Sequence, residues 1–228
     1  MSEIVVQKFG GTSVGTVDRI DSVAEIIKNA SKSNKIVVVV SAMGGETNRL
    51  VDLAKAFGDD PDKREFDALV STGETVSSAL LTMALHSKGV KAKSFSASQI
   101  SMRTTSSYSK AKILDVDAKK ILDVVENDTI PIITGFQGVT EGGDVTTLGR
   151  GGSDTTAVAI AAQIAATRCD IFTDVDGIFT TDPGVVPNAK KLDSITMEEM
   201  LELAGQGAKV VQTRACLLYT SPSPRDNR

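Results

Sequence analysis

Histidine is almost missing from this chain. The single one, His86, lies in a helical pattern among Leu85, Ser87 and Lys88, which suits a surface or satisfied structural role. A Ser-His-Asp triad therefore has little support, and a His-rich metal site is excluded. Cysteine is nearly as scarce. Cys169 and Cys216 lie far apart with no metal-ligand spacing around them, as small buried or incidental residues do. There is no run of Lys and Arg, and the net charge is -4, which argues against a nucleic-acid face. No apolar stretch approaches the ~20 residues that cross a bilayer. The start, Met-Ser-Glu and then a strand, lacks a basic-plus-apolar leader layout, so the expectation is a cytoplasmic protein with no membrane partner. The chemistry left available must use Lys, Arg, Asp, Glu, hydroxyls and backbone.

What is present is ordinary globular composition, 41% hydrophobic and 24% charged over 228 residues. That length permits one large α/β domain or two small ones. The organising stretch is Lys8-Phe9-Gly10-Gly11-Thr12-Ser13. An apolar strand, Ile4-Val5-Val6, precedes it. Apolar positions at Val17, Ile20, Val23, Ala24 and Ile27 follow with the spacing of one buried helix face. Glycines admit close backbone approach and offer amide donors, and a helix N-terminus adds unpaired N–H groups and partial positive charge. A lysine beside such a turn suits phosphate. An ordinary strand–turn–helix with a surface lysine reads the same way, and the spacing is not that of the usual P-loop.

Further along, Ile36-Val37-Val38-Val39-Val40 reads as a fully buried parallel strand running into Ser41-Ala42-Met43-Gly44-Gly45. A helix carrying Leu50, Val51, Leu53, Ala54 and Phe57 follows, then a loop around Gly58 to Pro61. The pattern from about Glu65 to Lys88 is helical but broken by Ser71-Thr72-Gly73-Glu74. That tetrad is either a capped helix junction or a functional break. Val90–Phe95 and Ile130–Thr134 read as strands, Asp117–Glu126 as a helix, and 141–146 as a turn between two short strands. The Ser/Thr-rich segment 97–110 suggests an exposed loop or hairpin. Thr147-Leu148-Gly149-Arg150-Gly151-Gly152-Ser153-Asp154 leads into an alanine-rich helix over 155–166. Ser153 and Asp154 suit helix caps as well as a site, while Arg150 suits bidentate contact with carboxylate or phosphate. Cys169–Thr173 is a strand ending in Asp174-Val175-Asp176-Gly177, and Met197–Ala204 is a helix capped by Thr196. Strands alternating with helices imply a mainly parallel sheet covered on both faces, with ligands beyond the carboxyl ends of its strands. Lys8, Ser41, Gly135, Arg150 and Thr173 all fall at or just after those ends.

The six motifs Lys8–Val14, Ser41–Gly44, Ser71–Glu74, Gly135–Gly138, Thr147–Asp154 and Thr173–Gly177 resemble, in order, those of the catalytic domain of the aspartate kinases, within the amino acid kinase family. The resemblance runs from about residue 3 to about Ala215. Its first and fifth motifs point to that group over acetylglutamate, glutamate, carbamate or uridylate kinases. It implies a three-layer α/β/α sandwich around a mainly parallel sheet. It implies transfer of the ATP γ-phosphate to the β-carboxylate of L-aspartate, with Mg²⁺ arriving on the ATP. Lys8, Gly10 and Gly11, with Thr12 and Ser13, would hold the transferring phosphoryl group. Lys209 would act near the ATP phosphates, and Asp154 would orient the lysines. Ser41, Thr47, Glu74, Arg150 and Ser153 would hold aspartate, with Glu74 on its amino group and Arg150 on a carboxylate. Thr173, Asp174 and Phe179 would contact the nucleotide. Such proteins are usually homo-oligomers.

The chain departs from that pattern at Phe179, where tyrosine is frequent, and at Gly184, where arginine is common. After Ala215 the Ser-Pro-Ser-Pro run cannot continue a helix, so 216–228 is expected to be a non-native tail, with the family's regulatory ACT domains absent. The alternatives are an inactive nucleotide-binding fragment and another amino acid kinase with a different carboxylate acceptor.

Overall fold

The computed structural model describes residues 3–174, 179–181, 186, 188–193 and 196. Five parallel strands form the main sheet: β1 (Ile4–Phe9), β2 (Lys35–Val40), β3 (Ala92–Phe95), β6 (Ile130–Thr134) and β9 (Arg168–Phe172), in the order β3-β6-β2-β1-β9. Val5, Phe9, Val38, Val40 and Ile132 face one side. They pack on α1 (Val17–Ala30) and α4 (Thr72–Ser87). Val6, Val37, Val39 and Ile133 face the other side, against α5 (Ala118–Glu126) and α6 (Gly152–Gln163). The period-2 alternation of a strand thus supplies two cores from one apolar run. Each buried Val or Ile stabilises the fold by about 1.5–3 kcal/mol relative to exposure. This is the three-layer sandwich with a mainly parallel sheet.

A second, smaller sheet was not legible as a sheet. It joins β4 (Arg103–Thr104), β5 (Ile113–Asp115), β7 (Gln137–Val139) and β8 (Val145–Thr147) in the order β5-β4-β7-β8. The Ser/Thr-rich segment therefore supplies β4, an inner strand of this sheet, and buried Thr104 pairs hydroxyls with Thr146 at 2.6 Å.

Several boundaries move. β1 continues through Phe9, so Lys8 lies within the strand, paired with Val39 and Ile171. Thr12 and Ser13 do not open the next helix. Thr16 caps it by accepting the Arg19 N–H, and Val17 is 70% exposed because it precedes the face that turns to the sheet. In α2 (Glu46–Lys55) only Leu50 and Ala54 are buried, and Phe57 beyond its end is 93% exposed. α3 (Lys63–Val70) and α4 run on across Ser71, giving 25 helical residues from Lys63 to Ser87. By length and composition that run can cross a bilayer, which corrects the expectation from apolar runs. Half of its most apolar window is buried in the fold, as a core helix is. His86 Nε2 lies 2.8 Å from the Ala92 carbonyl oxygen, the satisfied role expected of it. Cys169 is largely enclosed, and burial pushes its thiol up to about 12, so it stays protonated.

Candidate active site

The strand ends and the loops after them enclose a cleft of about 480 Å³. It is lined by Lys8, Gly10, Gly11, Thr12, Ser41, Thr47, Glu74, Arg150, Ser153, Asp154, Thr173 and Asp174, which gathers most of the expected site into one place. Ser13 and Phe179 are not in the lining. Ser13 lies in the turn between β1 and α1, and Phe179 forms an isolated antiparallel bridge with Lys191. Lys209, Gly184, the 197–204 helix and the segment after 215 lie outside the described residues.

One wall is built for an anion. Lys8 lies on the α6 side of β1, and its Nζ is 2.7 Å from Asp154 Oδ1. Both side chains are mostly buried, so the pair orients the ammonium rather than adding much stability. The turn after β1 approaches the turn after β2 closely. A Cβ on Gly11 would come within 2.9 Å of the Ala42 carbonyl oxygen, so only glycine fits. The Gly10 N–H is not available to a ligand, since it donates to the Phe172 carbonyl at 3.2 Å. This corrects the expectation that both glycine amides serve, and it leaves Gly11 and the residues after it.

The N-terminus of α6 completes that wall. Gly151, at φ 70°, is its N-cap, and no side chain caps the helix. Ser153 and Asp154 are therefore in the first turn and not caps, which frees both side chains for the cleft. Ser153 and Asp154 thus sit at the positive end of a helix dipole, with Lys8 paired to Asp154 beside them.

The opposite wall reads a different pattern. Glu74, 3% exposed, sits in the first turn of α4, and its Oε1 accepts the Ala42 N–H at 3.0 Å. Its Oε2 is buried without a hydrogen-bond partner. Burial raises the carboxyl to about 7, opposed by backbone hydrogen bonds. Neither Ser71 nor Thr72 caps the junction here, because their hydroxyls donate back to Ala68 and Leu69 carbonyls. Gly73 belongs to the packing: a Cβ there would lie 2.8 Å from Ala42 Cβ. Across the cleft Arg150 is exposed on its loop, with no ion pair among the described residues. The Ser41 backbone is held by Ser77 Oγ, which donates to its carbonyl at 2.7 Å. An open buried carboxylate and an unpaired guanidinium can together read a molecule carrying both an ammonium and a carboxylate.

Two residues at or beside the site entered the sequence reading only as part of the Gly135–Gly138 motif, with no role of their own. Phe136 lines the cleft at φ 66°, a strained conformation for a bulky side chain, and packs over Gly152. Gln137 beside it donates from Nε2 to the Ser71 carbonyl and accepts from Thr134 Oγ1 at 2.8 Å, tying this turn to the start of α4.

Comparison with known proteins agrees with this geometry. The model of the amino acid kinase family matches residues 3–221. An aspartate kinase of Pseudomonas putida is 55% identical over 213 residues, covering 93% of this chain and 52% of its own length. Aspartokinase 2 of Bacillus subtilis is 53% identical with the same coverage. The chain thus spans about half the length of the curated relatives it matches. Among solved structures, the E. coli aspartokinase III in complex with aspartate and ADP has a TM-score of 0.87 at 33% identity, covering 95% of this chain and 59% of that one. Aspartate kinase from Synechocystis has a TM-score of 0.82 at 45% identity, covering 94% of this chain and 35% of that one. With the parallel sheet, the cleft at its strand ends and a family match over nearly its whole length, this chain belongs to the amino acid kinase family.

Proposed function

We propose that the chain is the catalytic part of an aspartate kinase, transferring the ATP γ-phosphate to the β-carboxylate of L-aspartate to give 4-phospho-L-aspartate. That reaction opens lysine, threonine and methionine biosynthesis. The observation that carries the reading is one cleft with two kinds of wall: Lys8 paired with Asp154 at the α6 N-terminus beside the Arg150 loop, and Glu74 across from them. The names of the relatives support the same acceptor.

An aspartate carboxylate has an ordinary pKa near ~4, so at neutral pH it is already the nucleophile and no base is needed. The barrier lies in bringing an anion to a polyanion, which calls for positioning and positive charge. Lys8 and the α6 amides meet the charge developing on the transferred phosphoryl group. Glu74 takes the substrate ammonium and Arg150 a carboxylate, with Ser41, Thr47 and Ser153 beside them. Thr173 and Asp174 face the nucleotide, with Phe179 and Lys209 in the same role. Mg²⁺ fits as an ion brought by its nucleotide. Among the described residues no three metal-ligating side chains cluster. Mg²⁺ ordinarily takes one or two carboxylates with phosphate oxygens, and Asp154 and Asp174 line the cleft to supply them.

The test is ADP release by the purified chain with Mg-ATP, with and without L-aspartate, alongside hydroxamate trapping of the acyl phosphate. Aspartate-dependent ADP and hydroxamate support the reading. Turnover with another amino acid alone reassigns the acceptor. Saturable ATP binding without turnover identifies a nucleotide-binding fragment.

A further inference from the structure

Asp67, near the end of α3, is 0% exposed, yet its partners are four neutral donors. Its Oδ2 accepts the N–H groups of Ser109 and Thr147, each at 2.8 Å. Its Oδ1 accepts their hydroxyls, at 3.0 Å from Ser109 and 2.8 Å from Thr147. A buried carboxylate is strongly unfavourable unless its lone pairs are satisfied, and here all of them are. Three segments meet on this one group: α3, the 105–111 segment, and β8. Ser109 is held there at φ 62°.

From two of these segments, α3 and β8, the chain continues into the cleft. α3 leads through Ser71 into the α4 turn that carries Glu74. β8 leads from Thr147 through Leu148, whose N–H donates to the Phe136 carbonyl at 2.9 Å, to the loop that carries Arg150. None of these hydrogen bonds reaches β1 or β9, which carry Lys8 and precede Thr173.

We infer that Asp67 is a positioning residue for the acceptor half of the site, locking β8 and the Arg150 loop against the helix pair that presents Glu74. This rests on the reading of Glu74 and Arg150 as the acceptor's partners. The role is that of a hydrogen-bond acceptor and not of a charge. An asparagine can reproduce the pattern, its carbonyl oxygen taking both N–H groups while its amide donates to the two hydroxyl oxygens.

Steady-state kinetics on the purified chain tests it. Asp67→Ala is expected to raise the KM for L-aspartate by about tenfold or more while the KM for ATP stays within about twofold. Asp67→Asn is expected to bring the aspartate KM back to within about threefold of the parent. Equal rises in both KM values, an unchanged aspartate KM in Asp67→Ala, or no rescue by asparagine overturns the inference. Amide hydrogen exchange reads the clamp without any substrate. In Asp67→Ala the Ser109 and Thr147 amides should exchange about tenfold faster, with Val37–Val40 unchanged, and a uniform acceleration counts against the clamp. If Asp67→Ala does not fold, Thr147→Val deletes one donor and is expected to raise the aspartate KM about threefold with the ATP KM unchanged, and no change refutes the proposal. A parent chain that turns over no aspartate sinks the acceptor reading alone, and the exchange pattern then decides the clamp.

Discussion

Asp67 and Glu74 are both buried acids on one helical run, about two turns apart. Asp67 is closed: four donors fill it, and nothing is left for a ligand. Glu74 is open: one backbone N–H reaches Oε1, and Oε2 has no partner. The same residue class in the same burial therefore does opposite work. A saturated carboxylate joins segments of the fold. An unsaturated one lining a cleft keeps lone pairs without a partner, and its raised pKa records that its burial is not fully compensated. Asp154 lies between these limits, paired with Lys8.

The largest expected effect comes from breaking the paired case. Lys8→Ala should lower the rate of phosphoryl transfer on the order of 10³-fold, read as kcat with Mg-ATP and aspartate at saturation. Turnover unchanged in that variant would remove Lys8 from the chemistry. Next comes the closed case. Asp67→Ala strands two N–H groups and two hydroxyls, and denaturant unfolding should show a loss of about 3 kcal/mol, against less than about 1 kcal/mol for Asp67→Asn. If the two variants unfold alike, charge matters at Asp67 and the contrast with Glu74 dissolves.

The open case carries two pH signatures. The folded-state carboxyl of Glu74 is raised from 4.5 to about 7, so its contribution to stability is full below pH 4.5 and is lost as pH rises through 7. Glu74→Gln lacks that loss. Its stability relative to the parent should improve between pH 5 and pH 8 by roughly 1–3 kcal/mol, measured by thermal melts at both pH values. Binding a substrate ammonium needs the ionised form. The aspartate KM of the parent should therefore fall about tenfold from pH 6 to pH 8, and Glu74→Gln should flatten that profile while weakening aspartate. A flat profile in the parent would close the comparison by making Glu74 as inert as Asp67.

The smallest effect is expected at Cys169. Its thiol is held protonated by burial, so Cys169→Ala should leave turnover unchanged within about twofold, and alkylation of the native chain should be slow.

The main sheet was legible because its signal is local. Runs such as Val37–Val40 and Ile130–Thr134 are apolar on both faces, and only a doubly covered parallel strand asks for that. The small sheet was not, because β4 and β8 are two and three residues long and depend on pairing with distant partners. In the site, Lys8, Arg150, Asp154 and Glu74 announced themselves by charge beside glycines and hydroxyls. The helix cap at Gly151, the engaged Gly10 amide and the strained Phe136 did not, since each depends on which backbone group another segment has already taken.

Composition and order by themselves determined the alternation of strands and helices and pointed to the loops that line the cleft. Those follow from the periodicity of side chains along a strand or helix, and periodicity is a property of neighbours in sequence. What only the tertiary structure decided is which polar groups remain unsatisfied. Asp67 lies in Phe66-Asp67-Ala68-Leu69-Val70 and Glu74 in Ser71-Thr72-Gly73-Glu74, and neither stretch reveals that one acid will meet four donors and the other a single N–H. That count is set by residues from distant segments, and it is the count that saturates one carboxylate and leaves an oxygen of the other without a partner.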